Sequence, residues 1–361
     1  MIHVVVGTKA QLIKFAPILL AMQRENIDYN FIFTGQHQKT IEKIQENFGV
    51  KGPDVTLYKG EDIVSIPHML VWFIRILIKT IFQRDVIFKK QGVKDIVLVH
   101  GDTFSALLGV LMGKFAGKKV GHVESGLRSF NIFHPFPEEI TRLLIFRFSD
   151  IYYCPGEWAL NNLSRYKGEK INTEINTLYD CLMLACEENN KIGVEIPDCK
   201  YALVSLHRFE NIFNKKRFIT LLGYLLEISK SIHLLFILHP PTENKLKKNG
   251  WYEKLRSEVN IELRPRYDYF KFIRLVVKSE FIITDGGSNQ EEAAYLGKPT
   301  LLFRKATERQ EGIGVNVLVS EYDKDKIMGF VNDYKRYNNN SINVKTTPTE
   351  IILKSLMKFA I

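Results

Sequence analysis

The sequence predicts an α/β fold of two Rossmann-like, doubly wound domains facing a central cleft. Short β-branched runs alternate with helical patterns along the first 155 residues. This alternation is typical of parallel strands joined by crossover helices. The same pattern begins again near residue 200. The length of 361 residues also suits two domains of ordinary size.

Ten strands and six helices account for most of both halves. The predicted strands are 2–6, 29–34, 95–100, 119–123, 151–155, 201–206, 232–238, 261–263, 281–284 and 300–303. The predicted helices are 11–25, 38–48, 103–115, 216–230, 267–279 and 290–297. Two such sheets in one chain place a cleft between the carboxyl ends of their strands, where ligands bind in open α/β folds.

A weakly patterned stretch rich in Asn, Lys and Glu marks the predicted domain boundary. We expect an N-terminal Rossmann-like domain over 1–167, a linker over 168–199 and a C-terminal nucleotide-binding domain over 200–340. Residues 341–361 are expected to form a C-terminal helix that packs back on the N-terminal domain.

The composition indicates what kind of ligand the protein binds and in which cellular compartment it is expected. Lys and Arg number 50 against 40 Asp and Glu, and this excess predicts an anionic ligand or surface. Four cysteines without a C-x-x-C spacing favour neither a disulfide framework nor a zinc site. The first strand has no signal-peptide pattern before it, and the longest apolar stretch is broken by Arg75 and Lys79. We therefore expect a cytoplasmic protein.

Polar clusters follow the predicted strands of the first half. Lys9 and Lys14 belong to a strand-to-helix turn that can hold an anion, or that is an ordinary solvated turn. This turn lacks G-x-G-x-x-G, which disfavours an NAD enzyme. Asp102 follows the strand 95–100 and either reaches a ligand or caps the next helix.

The densest cluster lies between residues 121 and 142. Glu124 and Arg128 follow a strand, and Glu138 and Arg142 lie on a helix that begins near Pro137. The alternative interpretation is helix-dipole complementation with a Glu138–Arg142 pair. Two histidines, three glutamates and two arginines within twenty-one residues favour a functional site, because such crowding tunes pKa values.

The second half carries residues suited to a diphosphate. The candidates are His207, Arg208, Gly286, Gly287, Ser288, Glu292 and Arg309. The two glycines let the backbone approach phosphate closely at a helix start. Glu292 could accept both hydroxyls of a ribose. A common glycine turn with an acidic first helical turn is the alternative.

Taken together, these clusters resemble the non-hydrolysing UDP-N-acetylglucosamine 2-epimerases, which have a GT-B-like architecture. The matching segments are GTKAQLIKFAP, FTGQH, HGDT, HVESGLRS, PFPEEITR, HRFEN, TDGGSNQEEAAYLGKP and ATERQEG. They run in the family's order from residue 7 to residue 312 and so cover most of the chain.

The resemblance implies an isomerase that inverts C2 of a UDP-linked 2-acetamido sugar for surface polysaccharide or glycan precursors. UDP would be eliminated across C1–C2 and then added back, with no cofactor and no metal. The resemblance assigns the acid and base work to Asp102, Glu124 and Glu138 without saying which is which, and places His207 beside the diphosphate. The substrate-binding residues that follow from it are Lys9, Lys14, Gln36, His37, Arg128, Arg142, Arg208, Gly286, Gly287, Ser288, Glu292 and Arg309. Gln36 and His37 are also candidates for contact with a second, activating nucleotide sugar.

Three departures from the family pattern lie on the presumed nucleotide side. Residues 9–11 read Lys-Ala-Gln where the family has Arg-Pro-Glu. Residues 286–288 read Gly-Gly-Ser for Ser-Gly-Gly, and Gln310 replaces a proline. These changes leave the exact sugar open.

One basic and apolar segment, residues 65–94, has no role in an epimerase mechanism. Five of the ten net positive charges lie in it, beside aromatic residues such as Trp72 and Phe73. It suggests peripheral contact with anionic lipid at the inner face of the plasma membrane, or alternatively a core helix or a helix of the expected homodimer. Membrane contact would favour a GT-B-like glycosyltransferase acting on a lipid-linked or glycan acceptor. No recognition motif indicates a nucleic-acid partner.

Overall fold

The computed structural model divides the chain into two compact units. Met1–Cys181 together with Lys345–Ile361 forms the first unit, and Leu182–Val344 forms the second. The structure describes residues 1–360 except 38–40, 64–65, 90–93, 133–136 and 188–192. The change from one unit to the other falls within the stretch 168–199.

The first unit is built on a seven-stranded, fully parallel sheet. Its strand order is β3-β2-β1-β4-β5-β6-β7. The elements are β1 (Ile2–Val6), α1 (Lys9–Arg24), β2 (Tyr29–Phe33), α2 (Ile41–Phe48), β3 (Val55–Thr56), α3 (Ile66–Ile87), β4 (Ile96–His100), α4 (Phe104–Phe115), β5 (Lys119–Val123), α5 (Glu138–Phe148), β6 (Ile151–Cys154), α6 (Glu157–Asn161), β7 (Glu169–Asn172) and α7 (Leu178–Glu187), whose last residues belong to the second unit.

The second unit is built on a six-stranded parallel sheet of order β10-β9-β8-β11-β12-β13. Its elements are β8 (Tyr201–Ser205), α8 (Phe209–Ile212), α9 (Lys215–Ile228), β9 (His233–Leu238), α10 (Pro240–Lys248), α11 (Trp251–Arg256), β10 (Ile261–Pro265), α12 (Tyr269–Lys278), β11 (Phe281–Thr284), α13 (Gly287–Tyr295), β12 (Thr300–Leu302), β13 (Val317–Val319), α14 (Lys324–Asn332) and a 3₁₀ turn (Tyr334–Tyr337). The chain then returns to the first unit as α15 (Pro348–Ala360).

Local chemistry explains where the helices of the first unit begin. Thr8 and Gln11 form a capping box, in which each side chain accepts a backbone N–H of the other residue. The Thr103 hydroxyl caps α4 by accepting from the Ala106 N–H. Strands β1, β2 and β4 are buried on both faces, as strands covered by helices on both sides must be.

The α/β class and the parallel sheets predicted from the sequence are confirmed. All ten predicted strands are present, and their ends differ from the prediction by two residues at most. The predicted helix 38–48 is observed from Ile41, and its first three residues lie outside the described ones. Three further strands, β3, β7 and β13, were not predicted; two have only two or three residues, and β7 has the polar sequence EKIN.

The stretch 168–199, predicted as a linker, contains β7 and α7. β7 pairs with β6 along its whole length, from Glu169 to Asn172. α15 packs against α1 and β1 in the first unit. No helix in the described part of the chain combines the length and the apolar character needed to cross a bilayer.

The turn after β5 depends on a glycine, and this gives a stability prediction. Gly126 has φ +89°, and a Cβ there would lie 2.1 Å from the Ala159 carbonyl oxygen. We expect Gly126→Ala to lower the free energy of unfolding by about 1–3 kcal/mol more than Gly117→Ala, because only the first adds a steric clash. Gly117 also has positive φ, at +70°, but has open space around it.

Urea unfolding of the two variants beside the unchanged protein measures the difference. Equal losses of stability would show that the turn after β5 shifts to accommodate the methyl group.

Candidate active site

Glu124 lies at the centre of a buried cluster in the first unit. It follows β5 directly and has φ +63°, a left-handed conformation that glutamate rarely adopts. Lys14 Nζ lies 2.5 Å from its Oε1, and Asn176 Nδ2 donates to the same oxygen at 2.6 Å. His100 Nδ1 lies 3.4 Å from the other carboxylate oxygen, Oε2. The charge of this buried carboxylate is therefore balanced and its orientation is fixed.

Two buried histidines frame the turn between β4 and α4. The Gln11 amide donates to the His100 carbonyl at 2.9 Å. His122 Nε2 donates to the Gly101 carbonyl at 2.8 Å. Burial lowers the pKa of His122 to about 4, against the opposing effect of that hydrogen bond. His122 is therefore neutral at physiological pH, and its contact with Gly101 supports the turn that carries Asp102.

Asp102 and the start of α5 are joined by an ion-pair chain. Arg142 Nη2 lies 2.5 Å from Asp102 Oδ2, and Arg142 Nη1 donates to Glu139 Oε2 at 3.2 Å. Arg128 Nε donates to Glu139 Oε1 at 2.5 Å. Arg142 thus pairs with Asp102 and Glu139, so the Glu138–Arg142 pair of the alternative interpretation is wrong. Burial alone lowers the pKa of Arg142, but the two carboxylates outweigh it and raise that pKa.

Glu138 differs from the other two candidate carboxylates. It is the first residue of α5, and its Oε2 is buried with no hydrogen-bond partner among the described residues. His134, which belongs to the same sequence cluster, lies in the segment 133–136 outside the described residues. A buried carboxylate oxygen without a partner is costly and is therefore a candidate for contact with a ligand.

Gln36 and His37 lie after β2 at the same edge of the first sheet. The Ser105 hydroxyl donates to Gln36 Oε1 at 2.6 Å, and the His37 N–H donates to the Gly7 carbonyl at 2.9 Å. Burial lowers the pKa of His37, while Asp62 opposes that effect. Lys9 is half-buried in the first turn of α1.

In the second unit, Asp285 organises the ends of β8 and β11. It is fully buried and accepts the backbone N–H groups of His207 at 2.9 Å and Arg208 at 3.1 Å. The Asn211 amide donates to the same carboxylate at 2.9 Å. Through these bonds Asp285 fixes the turn that presents His207 and Arg208.

His207 stacks face to face on His239, which follows β9. Their ring centroids lie 4.4 Å apart at an interplanar angle of 16°. Burial lowers the pKa of His207; Asp285 opposes this effect, and Arg208 and Arg266 add to it. His207 is therefore a neutral imidazole among fixed positive charges.

The glycine turn before α13 lies beside two guanidinium groups. A Cβ at Gly287 would lie 3.5 Å from Arg309 Nε and 3.6 Å from Arg208 Nη2. Arg309 is ion-paired with Glu291. Gly286 precedes the helix as its N-cap residue, and the first backbone N–H groups of α13 have no acceptor within the helix. This arrangement suits an anion such as a phosphate.

Ser288 and Glu292 differ in exposure. Ser288 is exposed in the first turn of α13, whereas Glu292 is buried and accepts from Asn289 Nδ2 at 3.0 Å. A second ion-pair group lies beside them: Glu308 contacts Arg304 Nη2 at 2.9 Å and Arg208 Nη2 at 3.2 Å. Burial alone raises the pKa of Glu308, but these arginines lower it to about 2.

The structure brings the predicted residues together within each unit. In the first unit Glu124 contacts Lys14 and Asp102 contacts Arg142; in the second, Arg208 and Arg309 lie near Gly287. Three contributors were missed from the sequence: Asn176, His239 and Glu308. His239 follows β9 and could have been found by the strand-end rule that selected His207. Asn176 lies in the stretch predicted as a linker, where no pattern indicates it.

These two sheets and the ionisable groups after their strands define a GT-B-like α/β enzyme. A family model described as UDP-N-acetylglucosamine 2-epimerase matches residues 20–348. The chain belongs to the UDP-N-acetylglucosamine 2-epimerase family.

The relatives and solved structures agree with this assignment. The Methanocaldococcus jannaschii UDP-N-acetylglucosamine 2-epimerase is 33% identical over 344 residues, covering 91% of this chain and 90% of its own. The Neisseria meningitidis UDP-GlcNAc 2-epimerase, solved with UDP-GlcNAc bound, has a TM-score of 0.82 at 28% identity and 99% coverage of both chains. The M. jannaschii enzyme, solved with UDP-GlcNAc and UDP, has a TM-score of 0.80 at 29% identity and 99% coverage of both chains.

The low pKa of Glu308 gives a prediction about acid stability. A carboxyl whose folded-state pKa is about 2, against an ordinary 4.5, stabilises the fold above pH 4.5 and loses this contribution as the pH falls toward 2. The difference corresponds to roughly 3 kcal/mol. We expect Glu308→Gln to remove this part of the pH dependence and to lower stability at pH 7.

Urea unfolding at several pH values between 2 and 7 measures the effect. Glu253→Gln is the matched control, because Glu253 pairs with Arg256 at the surface, where both side chains are exposed. The same pH dependence in Glu308→Gln and in the unchanged protein would contradict the prediction.

Proposed function

We propose that this chain interconverts UDP-GlcNAc and UDP-ManNAc by inverting C2 of the sugar. The observation that supports the proposal is a set of three carboxylates in the first unit. Glu124 and Asp102 are each ion-paired to a cation. Glu138 has a buried oxygen with no partner among the described residues. The family assignment supports an epimerase over the alternative glycosyltransferase. Its product would serve surface polysaccharide or glycan synthesis.

The chemistry needs two opposite proton movements. A base removes the proton on C2. The electron pair of the broken C2–H bond forms the C1=C2 bond, and the C1–O bond breaks so that UDP leaves with the C1–O bonding pair. The 2-acetamidoglucal then takes a proton on the other face of C2 while a UDP oxygen forms the C1–O bond again. Positioned acid and base groups contribute roughly 10²–10⁴-fold to such steps.

We assign the proton movements to Asp102, Glu124 and Glu138. The support is their chemistry and placement: Glu124 and Asp102 follow neighbouring strands, and Glu138 begins α5. Arg142 and Arg128, tied to Glu139, supply positive charge around them. Lys9, Gln36 and His37 are proposed to contact the substrate from the ends of β1 and β2.

We assign the leaving diphosphate to the second unit. Arg208, Arg309 and the backbone of Gly286–Gly287 offer donors and charge where an anion would lie, and Ser288 is exposed beside them. His207 would stabilise charge on the departing UDP, and electrostatic stabilisation of this kind is often the largest contribution to catalysis. Glu292 is proposed to accept the ribose hydroxyls.

Incubation with UDP-GlcNAc alone, in deuterated water, tests the proposed function. We expect a second anomeric proton signal from the manno epimer and deuterium at C2 of both sugars, because elimination and re-addition exchange that proton with solvent. No change without an added lipid-linked or glycan acceptor would contradict the epimerase assignment and favour a transferase.

The same assay tests the carboxylates. We expect Asp102→Asn and Glu138→Gln to lose turnover by at least 10²-fold while binding UDP nearly as well as the unchanged protein, measured by calorimetry. A variant that still exchanges the C2 proton without forming the epimer identifies the residue that works on the opposite face. Full activity in either variant would rule out its assigned role.

The exposed face of α3 suggests that the protein works as a dimer. Seven of its apolar side chains are at least half exposed: Leu70, Val71, Ile74, Ile78, Ile81, Phe82 and Val86. Trp72 and Ile76 on the opposite face are buried in the core of the first unit, so α3 packs there with one face and exposes the other. Spacings of three and four residues place the six that precede Gln83 along one stripe; at Gln83 the backbone leaves helical geometry, and Val86 lies beyond this kink.

Three of the basic side chains near this stripe have partners within the first unit. Lys89 pairs with Asp54, Arg84 lies 3.7 Å from Asp85, and Lys79 donates to the Leu57 carbonyl. We therefore propose that a second copy of this chain covers the stripe, and we treat contact with an anionic membrane as the competing outcome.

Charged substitutions on this stripe distinguish these outcomes. We expect the double variant Ile74→Asp/Ile81→Asp to convert a dimer into a monomer by sedimentation velocity, because each carboxylate would be buried in the interface without a partner. Val259→Asp is the control, since Val259 is 93% exposed in the second unit. An unchanged protein that is monomeric and floats with phosphatidylglycerol vesicles would overturn the dimer in favour of membrane contact.

A further inference from the structure

The two residues that precede α7 reach Glu124 from outside the sheet, Asn176 directly and Thr177 through His100. Asn176 is 1% exposed, and its Nδ2 donates to Glu124 Oε1 at 2.6 Å. Its Oδ1 accepts the Leu178 N–H at 3.3 Å, which fixes the amide with its nitrogen toward the carboxylate. Asn176 therefore holds one oxygen of Glu124 directly.

Thr177 reaches the other oxygen of Glu124 through His100. Its hydroxyl lies 3.1 Å from His100 Nε2, and His100 Nδ1 lies 3.4 Å from Glu124 Oε2. The same hydroxyl donates to Asn176 Oδ1 at 3.3 Å, so Thr177 links the Asn176 amide to the His100 ring. Thr177 therefore helps to hold the imidazole ring that lies beside Glu124 Oε2.

The start of α7 is itself anchored in the first unit. Asp180 Oδ2 accepts from both the backbone N–H of Thr349, at 2.9 Å, and its hydroxyl, at 2.6 Å. Cys181 Sγ donates to the Ile13 carbonyl at 2.8 Å. These buried bonds join the segment to α15 and α1, so Asn176 and Thr177 have a fixed position relative to Glu124.

We propose that Asn176 and Thr177 are positioning residues that hold the Glu124 carboxylate in its reactive orientation; this inference rests on the proposed function. Lys14 supplies the charge, but its ammonium ends a long, flexible side chain and does not by itself fix the carboxylate plane. A short amide and an imidazole ring held by Thr177, one on each oxygen, do fix it. Such supporting contacts commonly change activity by about 10–100-fold when removed.

The test is the nearly isosteric change Asn176→Asp, assayed by conversion of UDP-GlcNAc. We expect kcat to fall about 10–100-fold with KM within about twofold of the unchanged value. The acidic limb of the pH profile of kcat/KM should move to higher pH, because two carboxylates in contact retain a proton between them. Thr177→Val keeps the shape of the side chain and removes the hydroxyl. It should lower kcat and move the acidic limb of the pH profile less than Asn176→Asp does.

The control is Asn30→Asp. Asn30 is also fully buried in the first unit, where its amide donates to the Ile87 carbonyl and contacts His3. We expect it to lower the melting temperature while leaving kcat per folded enzyme and the pH profile unchanged. If Asn176→Asp behaves like this control, the positioning role is overturned. Should Asn176→Asp fail to fold, a Thr177→Val variant with unchanged kcat overturns it equally.

Failure of the proposed function has a different signature. An unchanged protein that leaves UDP-GlcNAc intact overturns the epimerase assignment and is seen before any variant is made. The contact is then read without turnover, from the carbon-13 titration of the Glu124 carboxyl in the unchanged protein and in Asn176→Ala. If the Glu124 carboxyl titrates at the same pH in both proteins, the inference is overturned. If its titration midpoint differs between them, the inference is supported.

Discussion

The arrangement of the candidate residues within each unit depends on the parallel register of its sheet. In the first unit β1 pairs with β2 on one side and β4 on the other, and β4 pairs with β5 so that His100 lies opposite Val123. Every strand therefore ends at the same edge, whatever its place in the chain. Asp102 and Glu124 are 22 residues apart in sequence, yet they follow neighbouring strands for this reason. In the second unit Ser205 pairs with Thr284, which brings His207 to Asp285 by the same geometry.

Buried charge is balanced in groups rather than in single pairs. Glu139 joins Arg128 and Arg142, and Arg142 continues to Asp102. Removing one member of such a group leaves its partner charged and buried, which costs more than the pair contributes. These groups therefore fix the relative positions of β4, β5 and α5. Glu138 is adjacent to Glu139 in sequence, but its buried Oε2 has no partner among the described residues, so Glu138 is not held by this group.

Much of the framework could be predicted from the sequence because it follows from local periodicity. Buried runs such as those of β1, β5 and β11 identify strands with almost correct ends. The rule that ligands bind after strands selected Asp102, Glu124 and His207. The partners could not be predicted in the same way: whether Arg142 pairs with Glu138 or with Glu139 and Asp102 depends on helix rotation against the sheet. β7 and β13 could not be predicted, because neither a polar strand nor a three-residue strand has a distinctive sequence pattern.

Glu124 has two unfavourable features that the sequence patterns used to predict strands and helices do not indicate. A glutamate at φ +63° is strained, and a carboxylate buried to this extent loses most of its hydration. Both costs are offset by hydrogen bonds and charge on its two oxygens, which Lys14, Asn176 and His100 supply. These partners come from α1, β4 and the segment before α7, three parts of the chain that share no local pattern with β5. The orientation of this carboxylate is thus a property of the folded unit, and the supporting residues are as necessary to it as the glutamate itself.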